Sequence, residues 1–147
     1  MFNLEAIILN CALEDKEAII HFLAQQAQTA GYVSDPDAYA HAVLERESEY
    51  STGVGMGVAI PHGKSTAVNE SFIMFTRVNS VDWNSLDAST VDLVFLIGVP
   101  ESDTGNEHLR LLALLARKIM NEDFRNALRS AQSREALQTL FTDYGLA

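Results

Sequence analysis

The sequence predicts an α/β sandwich. Three observations point that way. Amphipathic stretches with helical spacing occur at 15–30 and 105–120. The run Leu93-Val94-Phe95-Leu96-Ile97 is continuously apolar, which suits a central strand covered on both faces. Elements of the two kinds alternate along the chain, as they do when helices pack on a sheet. The chain has 147 residues, the size of one domain, with no internal repeat, low-complexity tract or linker, so a single domain over 1–147 is expected.

The elements follow in order. In 15–30, Ala18, Ile19, Phe22, Leu23 and Ala27 share one stripe, and Gly31 supplies the stop. Asp35 caps a second helix with Pro36 at its first position, running to about 48, with Tyr39, Val43 and Arg46 on one face. The stretch 51–64 changes character. Its three alternating glycines, Gly53, Gly55 and Gly57, spoil a helix and weaken a strand. It reads as a glycine-rich approach, a short strand at Val58-Ala59-Ile60, and a sharp exit at Pro61-His62-Gly63. Aromatic and β-branched residues make 72–78 a strand, and 91–99 is the buried one, ended by Pro100. A strong helix over 105–120 carries His108, Leu111, Leu112, Leu115 and Ile119 on one stripe. Two short helices follow, one with Phe124 and Leu128 inward, the other capped by Ser133 with Leu137, Leu140 and Phe141 inward.

Composition narrows the function. Apolar residues make up 48%, enough for a real core, yet no run approaches the roughly 20 residues of a membrane span. The first ten residues lack the basic start and small-residue cleavage site of a signal peptide. One cysteine, Cys11, cannot form an internal disulfide, and its apolar neighbours suit a quiet buried thiol. These features lead us to expect a cytoplasmic protein. A net charge of −10 argues against nucleic acid and anionic membranes as partners, though a local arginine or a helix N-terminus can still hold a small anion.

Four histidines are present, at 21, 41, 62 and 108. His21 and His41 lie within ordinary helices and read as structural or surface residues. His62 lies between Pro61, which is stiff, and Gly63, which lets the chain turn and leaves room for an approaching group. A held imidazole open on one side suits a nucleophile; a turn histidine bonded to a nearby carbonyl fits the same spacing. His108 lies in the first turn of its helix, where free N–H groups and the dipole favour an anion; a satisfied core histidine is the alternative. Arg46 could present a planar donor fork to phosphoryl oxygens, or pair with Glu45, Glu47 or Glu49. The glycines match neither the dinucleotide fingerprint nor the P-loop. A zinc site from His62, His108 and a carboxylate lacks any H-E-x-x-H or cysteine pair.

The run Ser51-Thr52-Gly53-Val54-Gly55-Met56-Gly57-Val58-Ala59-Ile60-Pro61-His62-Gly63-Lys64 resembles the phosphohistidine segment of enzyme IIA components of the bacterial phosphoenolpyruvate-dependent sugar phosphotransferase system, fructose–mannitol type. Glu45-Arg46-Glu47 before it, and Val91-Asp92-Leu93-Val94-Phe95-Leu96 and Asn106-Glu107-His108-Leu109 after it, resemble further segments of that family, from about residue 13 to 141. Met56 stands where many relatives carry a polar residue. The resemblance is nearest to fructose-specific IIA. It implies a mixed sheet of about five strands with helices on both faces. It also implies that His62 takes a phosphoryl group from phospho-HPr and passes it to a cysteine of enzyme IIB, with His108 and Arg46 completing the site and no cofactor or metal. Three alternatives stay open at this stage: a nitrogen-regulatory phosphocarrier that moves no sugar, a binding module that has lost transfer, and a metal-dependent hydrolase.

Overall fold

The computed structural model describes residues 3–103 and 105–146. Six strands form one mixed sheet: β1 (Ile7–Asn10), β2 (Gly53–Gly55), β3 (Val58–Ala59), β4 (His62–Ser65), β5 (Phe72–Val81) and β6 (Val91–Pro100). Five α-helices surround it: α1 (Lys16–Thr29), α2 (Pro36–Glu49), α3 (Glu107–Ile119), α4 (Glu122–Ser130) and α5 (Arg134–Asp143). The sheet order is β1-β5-β6-β3-β2, with β4 also paired to β6. β5 runs antiparallel to β6 and parallel to β1, while β3 and β4 run parallel to β6 on its other side.

The long apolar run is central, as its pattern predicts: from Leu93 to Val99 every residue of β6 is buried. Helices cover both faces of the sheet. On one face Phe72 stacks on Tyr32 and meets Tyr39 of α2 edge-on. On the other, Phe75 and Phe95 pack against Phe141 of α5, which also meets Phe124 of α4. Phe72 and Phe75 lie an odd number of residues apart on one strand, so they point to opposite faces and divide the aromatic core between them.

The caps are those the sequence offers. Asp15, Asp35 and Ser133 each accept a hydrogen bond from the backbone N–H three residues on. Two features differ from expectation. β1, too short to show periodicity, belongs to none of the predicted elements. It is set by pairing with β5, and Cys11 beyond it is buried. The second difference concerns 51–64. Gly53–Gly55 is itself a strand, hairpinned onto β3 through Met56 and Gly57, both at positive φ (59° and 79°). A two-residue turn with both φ positive favours Asn or Asp before Gly, which gives a physical reason for a polar residue where Met56 stands.

The sharp exit after Pro61 is also corrected. Val58 pairs with Leu93 and His62 with Ile97, the same step along both strands, so β3 and β4 follow one another along the same side of β6 in one register. Pro61 interrupts it because it has no N–H to give the ladder; its carbonyl still accepts from Ile97 N at 3.0 Å. His62 therefore begins a strand.

Candidate functional site

Being on a strand fixes where His62 points. Successive side chains alternate between faces. A Cβ on Gly63 would lie 2.8 Å from Val43 Cγ2 and 3.1 Å from the Val43 backbone N, so the hydrogen of Gly63 faces α2 at close approach. His62 and Lys64 then turn to the opposite face, where Ile97 and Val99 of β6 and His108 of α3 line the same cavity. The small residue seats α2 directly on the strand, and Arg46, one turn beyond Val43, reaches that cavity as well. Gly63→Ala is expected to force α2 outward at about 1–3 kcal/mol, the ordinary penalty of overpacking. Thermal melting would show this as a fall of several degrees, and an unchanged Tm would mean the contact is slack.

The His62 ring is half-buried and held by its Nδ1, 3.0 Å from the carbonyl oxygen of Ile60. A carbonyl only accepts, so Nδ1 carries the proton, and Nε2 keeps a lone pair for the cavity. Burial pushes the imidazole below its ordinary 6.5 and outweighs the Ile60 carbonyl, which pulls it up. The positive charge of Arg46 and the nearby His108 push it down further, and Glu47 pulls slightly the other way. The ring is thus poised neutral, the form in which a nitrogen can attack.

The three consecutive residues Glu45-Arg46-Glu47 point in three directions, as neighbours on a helix must. Glu45 is exposed and lies 3.7 Å from His41. Arg46 turns to the cavity, stacks on the Tyr50 ring at 4.2 Å, and donates from Nη1 to the Tyr50 carbonyl at 3.0 Å. No ion pair among the described residues involves Arg46, so the alternative of pairing with Glu45, Glu47 or Glu49 is absent there. Glu47 is buried. It accepts from Lys16 Nζ at 3.1 Å, from Thr52 N and Trp83 Nε1 at 3.3 Å, and from the Thr52 hydroxyl. This cluster ties the start of α1, the end of α2 and the approach to β2 together behind the site.

His108 occupies the second position of α3. The helix cap, Asn106, makes no side-chain hydrogen bond, which leaves first-turn N–H groups uncapped by a side chain. His108 is neither a core histidine with a bonded partner nor fully open; Asp103 Oδ2 stands 4.0 Å from its Nδ1.

The structure therefore gathers His62, His108 and Arg46 around one cavity of about 290 Å³, which is also lined by Ala42, Gly63, Lys64, Ile97 and Val99. His21 is an exposed residue of α1 and His41 an exposed residue of α2, both outside this lining. The hydroxyls of Ser51 and Thr52 are engaged elsewhere: Ser51 donates to the Trp83 carbonyl at 2.5 Å, and Thr52 is bound to Glu47. Lys64 joins the site from two residues beyond His62, a placement that the reading of a sharp exit hides and that strand alternation would have found. Among the described residues no three His, Cys, Asp or Glu side chains come together to hold a metal ion. An apolar rim flanks His62, with Tyr50, Val54 and Leu86 exposed and Leu112 half-buried.

Known proteins resemble this chain in sequence and in fold. The family model described as "Phosphoenolpyruvate-dependent sugar phosphotransferase system, EIIA 2" matches residues 1–144. The fructose-specific EIIA component of Haloferax volcanii is 40% identical over 141 residues, covering 95% of this chain and 91% of that protein. The fructose-specific EIIABC component of Bacillus subtilis is 39% identical over 132 residues; the match covers 89% of this chain but only 21% of that longer protein. The crystal structure of the nitrogen regulatory protein IIA-Ntr from Neisseria meningitidis superposes with a TM-score of 0.86 at 29% identity, covering 94% of each chain.

Proposed function

This chain belongs to the EIIA 2 family of the phosphoenolpyruvate-dependent sugar phosphotransferase system, and on that premise we propose that it is a phosphoryl carrier whose acceptor atom is Nε2 of His62. In this reading residues 1–147 act as a single cytoplasmic domain. One observation carries the assignment: the Ile60 carbonyl occupies Nδ1, and the remaining nitrogen belongs to a neutral ring at a cavity lined by Arg46, Lys64 and His108.

The chemistry balances without a cofactor. The Nε2 lone pair attacks phosphorus on the phosphohistidine of HPr, so a new N–P bond forms as the donor's N–P bond breaks and its electron pair returns to the donor ring. In the second leg a cysteine thiolate of enzyme IIB attacks the same phosphorus, an S–P bond forms, and the N–P pair returns to Nε2. Catalysis of such a transfer is mostly alignment and charge. Arg46 supplies a fixed fork, Lys64 a point charge and His108 a ring donor for the equatorial oxygens. Arg46 is held by the Tyr50 carbonyl and ring, so little order is lost when it engages. The apolar rim of Tyr50, Val54, Leu86 and Leu112 gives a partner a surface from which water is expelled.

The test is single-turnover transfer. Phosphorylated protein mixed with a fructose-type enzyme IIB should lose its label to the IIB cysteine. A second reading has the regulatory role of the IIA-Ntr neighbour, favoured by that superposition. It predicts phosphorylation with no transfer to any IIB thiol. The 40% identity to a fructose-specific component favours transport.

The neutral ring has a pH signature. The folded imidazole lies below its unfolded value near 6.5, so between the two values the unfolded chain binds more protons. Stability linked to His62 is therefore complete above about 6.5 and is lost as pH falls through that window. NMR titration should place the His62 midpoint below 6.5. Arg46→Ala should move it upward by removing a repelling positive charge. A midpoint that does not move would remove Arg46 from the ring's electrostatic surroundings.

A further inference from the structure

The polar atoms of Asp103 are held in a specific way. Its N–H donates to the Pro100 carbonyl at 3.0 Å, and its Oδ1 accepts from Gly105 N at 3.2 Å. These two bonds aim the remaining oxygen, Oδ2, at Nδ1 of His108, 4.0 Å away. Oδ2 and Nδ1 are both shut off from solvent, and neither has a hydrogen-bond partner among the described residues. A buried polar atom without a partner is costly, by about 1–3 kcal/mol. Here two such atoms of complementary type face each other, and an approach of about 1 Å would make a charge-assisted bond.

Building on the phosphoryl-carrier reading above, we propose that Asp103 is a positioning residue for His108: its carboxylate takes the Nδ1–H and thereby holds the ring as an imidazolium that donates from Nε2 to a phosphoryl oxygen on His62. With Nδ1–H on a carboxylate, a neutral ring would turn a bare Nε2 toward the cavity, and that atom would repel a phosphoryl oxygen. A second proton on Nε2, taken from the buffer as the phosphoryl group arrives and returned when it leaves, makes Nε2 a donor. The carboxylate stabilises that doubly protonated form. The other charged or titratable groups around the cavity are His62 and Lys64 from β4 and Arg46 from α2, none of them acidic. Glu107, on α3 itself, is bound by Arg110 at 2.8 Å. Asp103 is thus the carboxylate, among the described residues, placed to balance the charge of His108.

Asp103→Asn tests this, because the amide oxygen can still accept from Gly105 N while the charge is gone. In the unphosphorylated protein, nitrogen NMR of the His108 ring should show a proton on Nδ1 held by the carboxylate, and the variant should lose that signature. Phosphoryl uptake should slow about ten-fold, as expected for loss of one charge-assisted hydrogen bond. In a His108→Gln background, Asp103→Asn should add nothing further. The NMR readout needs no transfer, so it remains decisive even if His62 proves not to be the acceptor. Identical Nδ1 signals in the variant and the wild type would overturn the proposal. Equal slowing by Asp103→Asn with and without His108 would do the same, since Asp103 would then serve only the loop.

Discussion

His62→Ala is expected to end the relay completely while the fold survives. The enzyme IIB cysteine should stay unlabelled at any incubation time. The other polar side chains lining the cavity are a guanidinium and an ammonium, which carry no free lone pair, and the ring of His108. Nδ1 of that ring faces Asp103, and in the proposed transfer its Nε2 donates a hydrogen bond to a phosphoryl oxygen, so neither nitrogen is left with a lone pair to attack. The effect on stability should be small. The substitution loses one hydrogen bond to Ile60, worth about 1 kcal/mol, and relieves a ring that burial already disfavours in its charged form. A melting curve close to wild type together with zero transfer is the expected pair of results. Residual transfer above a few per cent would move the acceptor to His108.

Glu47→Ala should give the largest loss of stability. The carboxylate is 4% exposed and receives Lys16 Nζ, Thr52 N, the Thr52 hydroxyl and Trp83 Nε1. Removing it leaves a lysine ammonium, a backbone N–H and a fully buried tryptophan facing an empty position. Breaking a buried pair from one side costs about 3–5 kcal/mol. That corresponds to a fall in Tm of more than about 6 °C for a chain of this size. Glu45→Ala, two residues away and exposed, should change Tm by about 1 °C or less. Glu47→Gln should fall between the two, because an amide oxygen can still accept from Thr52 and Trp83 but loses the attraction to Lys16. Equal melting temperatures for Glu45→Ala and Glu47→Ala would mean that the cluster behind the site contributes nothing.

Much of this was legible in the sequence, for identifiable reasons. The helices carry explicit caps at Asp15, Asp35 and Ser133 and apolar stripes at the right period, and the buried strand advertises itself by an unbroken apolar run. His62 stands out because proline and glycine flank it. What stayed hidden is tertiary. β1 is a strand because β5 offers it an edge. His62–Ser65 is a strand because β6 continues past Pro61 in the same register, although Pro-His-Gly reads locally as a turn. That register decides that Lys64 shares a face with His62. The roles of Glu45, Arg46 and Glu47 differ only because α2 is seated on Gly63, which turns one residue to solvent, one to the cavity and one inward. Likewise no spacing rule relates Asp103 to His108; a turn bonded to Pro100 and Gly105 brings them together.

The central claim is that His62 carries a phosphoryl group, and intact-mass measurement addresses it most directly. The protein would be incubated with phosphoenolpyruvate, enzyme I and HPr, weighed, treated briefly with acid and weighed again. The account predicts a gain of one phosphoryl group, lost in acid as an N–P bond is, and absent from His62→Ala carried through the same steps. No gain from HPr of several sources, or a gain that the His62→Ala protein retains, would contradict it.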